Sequence, residues 1–347
     1  MASSVAPLPH FPPEIWLAIL ESLPPLFFQK DIGRLTISKH WYSLAFPTFL
    51  ARIQYTARVI SRLVHQRTKR PDKAGALERA RSTLQKTLRS LHISLDGMGP
   101  GGPTDKQCYN TAANLILFCL MLTKYEELRT VRFVAGWQTP TWKMSPWTPS
   151  YLPLRSIDPF LSLLTHINFL DLDLCGTEIL NDDQRIPMPV HFCRFIPQLL
   201  SRLHGLRLRT RCICQEALFP RGNRPDIYSN IKLQKLTLDL YLGDVSDVNL
   251  KLNSTRSCVD SFPWKSPLDE MRTAMKKLHG KMAEPRSAQM VHLAPTGEVH
   301  VWDAATDSCV VDLTEKARSF PRIPNFTPPG CDSCFSADSQ DVFNVAL

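Results

Sequence analysis

The sequence predicts an α/β chain in which a small all-helical N-terminal unit precedes an irregular solenoid of strand and helix units. Three observations carry that expectation. A phrase Leu-x-x-apolar-x-apolar returns five times between residues 88 and 242, helix-forming stretches separate the returns, and the first fifty residues contain a helical run with almost no polar side. At 347 residues, 44% hydrophobic and 21% charged, the chain has the apolar content for a substantial core, and its length suits two or three domains.

The N-terminal run is FPPEIWLAIL, residues 11–20. Pro12 and Pro13 preorganise a first helical turn and Glu14 suits the positive helix end. Ile15, Trp16, Leu17, Ala18, Ile19 and Leu20 then follow without a break, bracketed only by Glu14 and Glu21. A helix apolar nearly all round needs cover from two directions.

Residues 49–87 read as a basic helical linker. From Arg52 to Arg89 there are eleven Lys or Arg and two acids, and the rest of the chain holds thirty of each sign, so this segment carries the whole net charge of +9. Ile53, Ala57, Ile60 and Val64 recur at helical spacing, with Arg52, Arg58, Arg62 and Arg67 off that face. Without interleaved aromatics or a nucleic-acid motif, the charge is expected to be a solvated helix face rather than a nucleic-acid patch.

The repeats occupy residues 88–252. They begin at Leu88, Leu128, Leu164, Leu203 and Leu233, which are 40, 36, 39 and 30 residues apart. Alternation after each leucine predicts a short strand, and residues 109–122, 159–164 and 190–203 are candidate helices. A strand-helix unit cannot cover its own apolar face, so units are expected to stack. The pattern resembles leucine-rich repeats, longer than the usual unit of about 20 to 29 residues and without their Asn or Cys position.

Beyond residue 253 the repeat fades into an extension, with a helix at 266–282 and a hairpin in which EVHVWD and SCVVDL flank AATDS. VHVWDAATDSCV resembles the end of a WD-repeat blade, but a propeller needs at least four blades and the chain supplies no others. The proline-rich residues 318–334 read as a loop.

Motifs for chemistry are thin. Gly97, Gly99 and Gly102 match a dinucleotide loop in spacing, yet Pro103 follows at once and Asp96 places a negative charge at the entrance. Cys212 with Cys214, and Cys331 with Cys334, lie too far apart for an ordinary zinc site, and the ten cysteines are expected to be reduced and mostly buried. Asp182 with Asp183, and His191 with Cys193, are adjacent pairs without a supporting third group. No catalytic residue, cofactor or metal is expected. The longest apolar run after the opening helix, residues 115–122, falls short of the roughly 20 residues of a membrane span, and the opening residues lack a signal core, so cytoplasm or nucleus is the expected compartment and the sequons at Asn253 and Asn325 are expected to be unmodified.

Read onward, FPPEIWLAILESL and DIGRLTISKHWYSLA place Glu14-Ile15, Ile19-Leu20, Leu23, Ile32, Leu35, Lys39 and Trp41 in order. Residues 1–48 resemble an F-box, whose pattern is Leu-Pro-x-Glu-Ile, Ile-Leu, Leu, Asp-Leu and Lys-x-Trp. The departures are Phe11 in place of leucine, a longer loop at residues 24–30, a span from Asp31 to Trp41 one residue shorter, and Ser38 in place of a common cysteine. The resemblance implies a three-helix unit that docks on a Skp-family adaptor and through it joins a cullin-RING ubiquitin ligase. By position it implies an adaptor-facing surface of Phe11, Pro12, Ile15, Ile19, Leu20 and Leu23, packed or completed by Ile32, Leu35 and Trp41. Order in the chain, F-box then leucine-rich units, is similar to that of many fungal F-box proteins whose second module captures a protein substrate. The expected function is therefore substrate recognition in an SCF-type (Skp-cullin-F-box) ligase; the alternatives are an F-box scaffold outside any ligase, or a nucleic-acid-associated protein using residues 52–89.

Overall fold

The structure, a computed structural model, describes residues 11–23, 26–65, 74–95, 105–135, 152, 156–175, 177, 180–181, 190–210, 213, 217–219, 231–240, 267–293 and 299–312. It is an α/β architecture built on one nine-stranded, mostly parallel sheet. The N-terminal part is helical: α1 (Pro13–Ser22), α2 (Leu26–Lys30), a 3-10 turn (Ile32–Leu35) and α3 (Lys39–Ala51). Strands and helices then alternate as β1 (Arg52–Thr56), α4 (Ala57–His65), α5 (Ala74–Thr87), β2 (Ser90–Ser94), α6 (Asp105–Leu122), β3 (Thr130–Val134), α7 (Asp158–Leu163) and β4 (Phe169–Asp173). A separate two-stranded pair, β5 (Leu180–Asn181) with β6 (Val190–His191), precedes α8 (Ile196–Arg202) and β7 (Gly205–Thr210). The chain continues through β8 (Lys235–Leu240), α9 (Pro267–His279), β9 (Ser287–Leu293), β10 (Val299–Asp303) and β11 (Ser308–Asp312).

Strand order in the main sheet follows chain order, with parallel pairing from β1 to β9 and antiparallel pairing through β10 and β11. Five of the parallel strands, β3, β4, β7, β8 and β9, enter the sheet by the same hydrogen-bond device. The carbonyl of the residue before a strand accepts two N–H groups from the start of the next: Arg89 O takes Arg129 and Thr130 N–H (2.9 and 3.0 Å), Arg129 O takes Asn168 and Phe169, Asn168 O takes His204 and Gly205, His204 O takes Gln234 and Lys235, and Gln234 O takes Arg286 and Ser287. Equivalent side chains therefore stack in register. Leu91, Val131, Leu170, Leu206, Leu236 and Ala288 form one inward row, and Ile93, Phe133, Leu172, Leu208, Leu238 and Met290 the next. Both rows are buried in a single core, packed by Leu115 and Phe118 of α6, Phe160 of α7, Leu199 and Leu200 of α8, and Met271 and Met275 of α9. The alternation of period two thus becomes one packed face, which the helices cover.

Four boundaries differ from the sequence expectation. The third unit aligns on Ile167, two residues before its strand like Leu128 and Leu203, while Leu164 sits at the end of α7; both are buried, so the phrase could be entered three residues early. The strand-helix alternation does not stop at 252, since α9 leads into β9, which pairs in parallel with β8 and makes the hairpin part of the same sheet. The basic stretch is not wholly helical either. Its first residues are β1, paired in parallel with β2, and α4 starts only at Ala57. Ile53 and Ile60 are buried as the periodicity required, with Ala57 and Val64 packed partly buried against the same core, because one inward strand position and one helix face both satisfy a spacing of four and three. A boundary at residue 48 would cut α3, which runs through Pro47 to Ala51.

The turn between β10 and β11 holds Asp307 at φ 53°, a left-handed conformation uncommon for a residue with a side chain. It is anchored from outside the turn: Lys276 Nζ of α9 lies 2.6 Å from Asp307 Oδ2 and Trp302 Nε1 donates to Oδ1 at 3.3 Å.

Truncating an inward rung should be costly in proportion to its burial. Leu208→Ala in the middle of the sheet is expected to lower unfolding stability by roughly 2–5 kcal/mol, and Val310→Ala, at a position 63% exposed on β11, by no more than about 0.5 kcal/mol; urea titrations followed by circular dichroism check both.

Candidate docking surface and the polar face of the sheet

The N-terminal helices close on a core of their own, Leu20, Phe28, Leu35, Trp41 and Ala45, with Trp16, Leu23, Phe27, Leu44, Phe46 and Phe49 packed partly buried around it. Local capping sets the path. Asp31 accepts from Gly33 N–H at 2.9 Å to open the 3-10 turn, and Ser38 accepts from Trp41 N–H at 3.0 Å to open α3. Trp41 Nε1 donates to Arg34 O at 2.6 Å, Arg34 Nη1 donates to Phe27 O at 2.9 Å, and the Arg34 guanidinium lies 4.4 Å from the Phe27 ring centroid. Edge-to-face contacts run from Phe11 to Trp16 (5.4 Å) and from Trp16 to Trp41 (5.6 Å).

This arrangement sorts the residues that the sequence marked for docking. Phe11, Pro12, Ile15, Ile19 and Ile32 are exposed, Ile15 at 47%. Ile15 and Ile19 are spaced by four and share one side of α1, while Phe11 lies in the chain just before the helix. Leu20, Leu35 and Trp41 lie inside the unit, and Leu23 is half-buried against the same core, so Leu20 is a packing residue and not part of the outer surface. Leu17, Ile37 and Tyr42 are exposed although the sequence reading did not single them out. Ile37 had a legible signal: it stands between Thr36, which closes the 3-10 turn, and Ser38, which caps α3, where an apolar side chain has no helix face to join.

Opposite the packed face of the main sheet, a ladder of alternating charge crosses the central strands. Asp171 Oδ2 lies 3.4 Å from Arg132 Nε and 3.9 Å from Arg207 Nη1; Arg207 Nη2 lies 3.9 Å from Asp239 Oδ2. Arg209 Nη1 donates to Asp173 Oδ2 at 2.8 Å, and its Nε lies 3.8 Å from Asp239 Oδ2. Asp171, Asp173, Thr237 and Asp239 are all buried, so the charges on this face are shielded and paired with one another. Burial pushes the Asp239 carboxyl up to about 6 against the pull of Arg209 and Arg207, because those contacts are long and its Oδ1 receives no hydrogen bond. Burial alone would lower the Arg209 guanidinium, but Asp173, Cys175 and Asp239 around it carry it above its ordinary value. Burial, with Asp173 adjacent, raises the Cys175 thiol well above the usual range, which suits a structural thiol rather than a nucleophile.

Cys119, Cys175 and Cys193 are buried and Cys309 is exposed. Among the described residues no group of three His, Cys, Asp or Glu side chains is placed to hold a metal ion, and no helix is long and apolar enough to cross a membrane. Cys193 lies in the short turn before α8 and its neighbour His191 in β6. The glycine-rich residues 97–102, both cysteine pairs, Asp182 with Asp183, Arg67 and the two sequons lie outside the described residues. Of the basic stretch, Arg58, Arg62, Arg79, Lys86 and Arg89 are exposed. A scan against models of known protein families finds no match to this chain, and no curated protein matches it.

The raised Asp239 carboxyl makes stability depend on pH. Between about pH 4 and pH 6 the folded chain holds a proton that the unfolded chain has released, so this group's contribution falls as pH rises through that window and stays low above it. Asp239→Asn removes the slope. Its stability relative to the native chain is expected to improve by up to about 3 kcal/mol between pH 4 and pH 7, measured by urea unfolding at each pH.

Proposed function

We propose that this chain is a non-catalytic adaptor-binding protein of F-box type, in which the N-terminal helices dock a Skp-family adaptor and the sheet domain, a leucine-rich-repeat-like solenoid, holds a protein substrate for a cullin-RING ubiquitin ligase. One observation supports this reading more than any other: Ile15 and Ile19 stand exposed on α1, with Phe11, Ile32 and Ile37 also open, on a unit whose own core holds, among the described residues, five buried side chains. An apolar patch of that kind on so small a unit marks a partner site. The ordered residues from Phe11 to Trp41 identify the kind of partner by resemblance. In-register stacking of strand-helix units in chain order supports the solenoid. Function on this reading is positioning: the adaptor end fixes one protein, the repeat domain another, and transfer of ubiquitin gains from raised local concentration.

Ile15→Asp with Ile19→Asp tests the reading directly, since both side chains are exposed and their loss leaves the inner residues Leu20, Leu35 and Trp41 in place. The native chain is expected to recover a Skp-type adaptor and a cullin from lysate. The double variant is expected to lose the adaptor by tenfold or more with an unchanged thermal midpoint. Undiminished recovery by that variant overturns the assignment. Adaptor without cullin would point instead to a scaffold outside a ligase.

A further inference from the structure

From the contacts at the start of the sheet we infer that Arg52 clamps the docking helices to the first strand, making the exposed face of α1 and the nine-stranded sheet one rigid body with a fixed mutual orientation. Four features meet there. α3 passes into β1 between Ala51 and Arg52 with no intervening loop. The Arg52 guanidinium reaches back across the sequence, Nη1 donating to Glu21 O at 2.7 Å and Nη2 to Leu20 O at 3.0 Å. These are carbonyls in the last turn of α1, a helix that has no basic residue of its own there, so Arg52 supplies both the donors and the positive charge that a helix C-terminus favours. Gln29 Nε2 of α2 donates to Gln54 O of β1 at 3.3 Å. β1 is the first strand of the sheet, and Gln29 thereby occupies a carbonyl that would otherwise sit at an open sheet edge.

The two cores share α3 in the same way. Phe49 packs against the small N-terminal core while its neighbour Leu50 packs against the main one, so the last turn of α3 cannot rotate without disturbing both. Burial, opposed by Glu21, lowers the Arg52 guanidinium from its ordinary value, consistent with a side chain drawn into the junction. Arg52 is thus a positioning residue that acts through the end of α1. The inference deepens the proposed function and rests on it for its consequence, that a partner on α1 is held in a set direction relative to whatever the sheet holds. The mechanical statement stands on the contacts alone.

Hydrogen exchange of the full-length chain, read by mass spectrometry, separates the possibilities. Arg52→Met keeps the apolar stem and removes the donors; exchange in residues 11–23 and 52–56 is expected to quicken at least fivefold, with residues 90–94 and 130–134 unchanged. Arg52→Lys, which can serve one carbonyl, is expected to restore part of the protection. Small-angle scattering of the chain bound to purified Skp-type adaptor is expected to give a broader distance distribution for Arg52→Met than for the native chain. Exchange within twofold of native in Arg52→Met, or acceleration spread equally through residues 130–134, overturns the clamp. Failure of the native chain to bind adaptor would sink the functional reading while leaving the exchange comparison to decide the clamp.

Discussion

The constraint on which the rest of the molecule depends is the shared register of its parallel strands. At five successive strand entrances one carbonyl takes two N–H groups from the start of the next strand, from Arg89 through Arg129, Asn168 and His204 to Gln234. A carbonyl has two lone pairs, so the arrangement satisfies the donor at the strand start and the donor before it with a single acceptor. It also leaves no freedom to slip. A shift of one residue would turn Leu91, Val131, Leu170, Leu206 and Leu236 out of the core and bring in His92, Arg132, Asp171, Arg207 and Thr237. The intervals between strands vary, but the entrance does not, so insertions are absorbed between strands without breaking the stack.

The same register that stacks leucines on one face stacks charges on the other. Arg132, Asp171 and Arg207 share one cross-strand row, and Asp173, Arg209 and Asp239 the next, so opposite charges become neighbours automatically once the strands align. Their value is specificity more than stability. Pairs near 3.9 Å with buried carboxylates recover only part of the desolvation cost, which is why the Asp239 carboxyl sits high. A strand slipped by one residue would carry its charges onto the packed apolar face without partners, and the cost of burying them there penalises that alternative.

Much of the sheet was legible because a strand with one buried face must alternate, and Leu88, Leu128, Leu203 and Leu233 announce their strands cleanly. Where the residue types changed, legibility failed. In β9 the inward positions are Ala288 and Met290, neither a leucine, and the surrounding SAQMVHL reads as no repeat. β1 was hidden because Ile53 and Ala57 are spaced as on a helix, though one lies in a strand and the other starts a helix. In α1 the difficulty was phase. With Ile15, Trp16, Leu17, Ala18, Ile19 and Leu20 in succession there is no polar stripe to reveal which side is inward, and only the packing of Trp16 on Trp41 places Leu20 inside and Ile15 and Ile19 outside. Arg52 was invisible for a different reason: it was one cation among eleven, and its partners are backbone carbonyls about thirty residues earlier.

The junction explains why a unit as small as the N-terminal helices is ordered at all. The described residues between 11 and 51 enclose five buried side chains, a core near the lower limit for independent folding, where chains below about 40 residues need outside support. Here that support is covalent and lateral: α3 continues into a strand whose partner β2 belongs to a much larger core, and Arg52 and Gln29 tie the remaining helices to the same strand. The inner face of α1 is satisfied by this arrangement, so its outer apolar residues are not left over from a failed core. Borrowed stability of this kind lets a short segment keep hydrophobic side chains on display without collapsing around them, and a surface meant for another protein requires that.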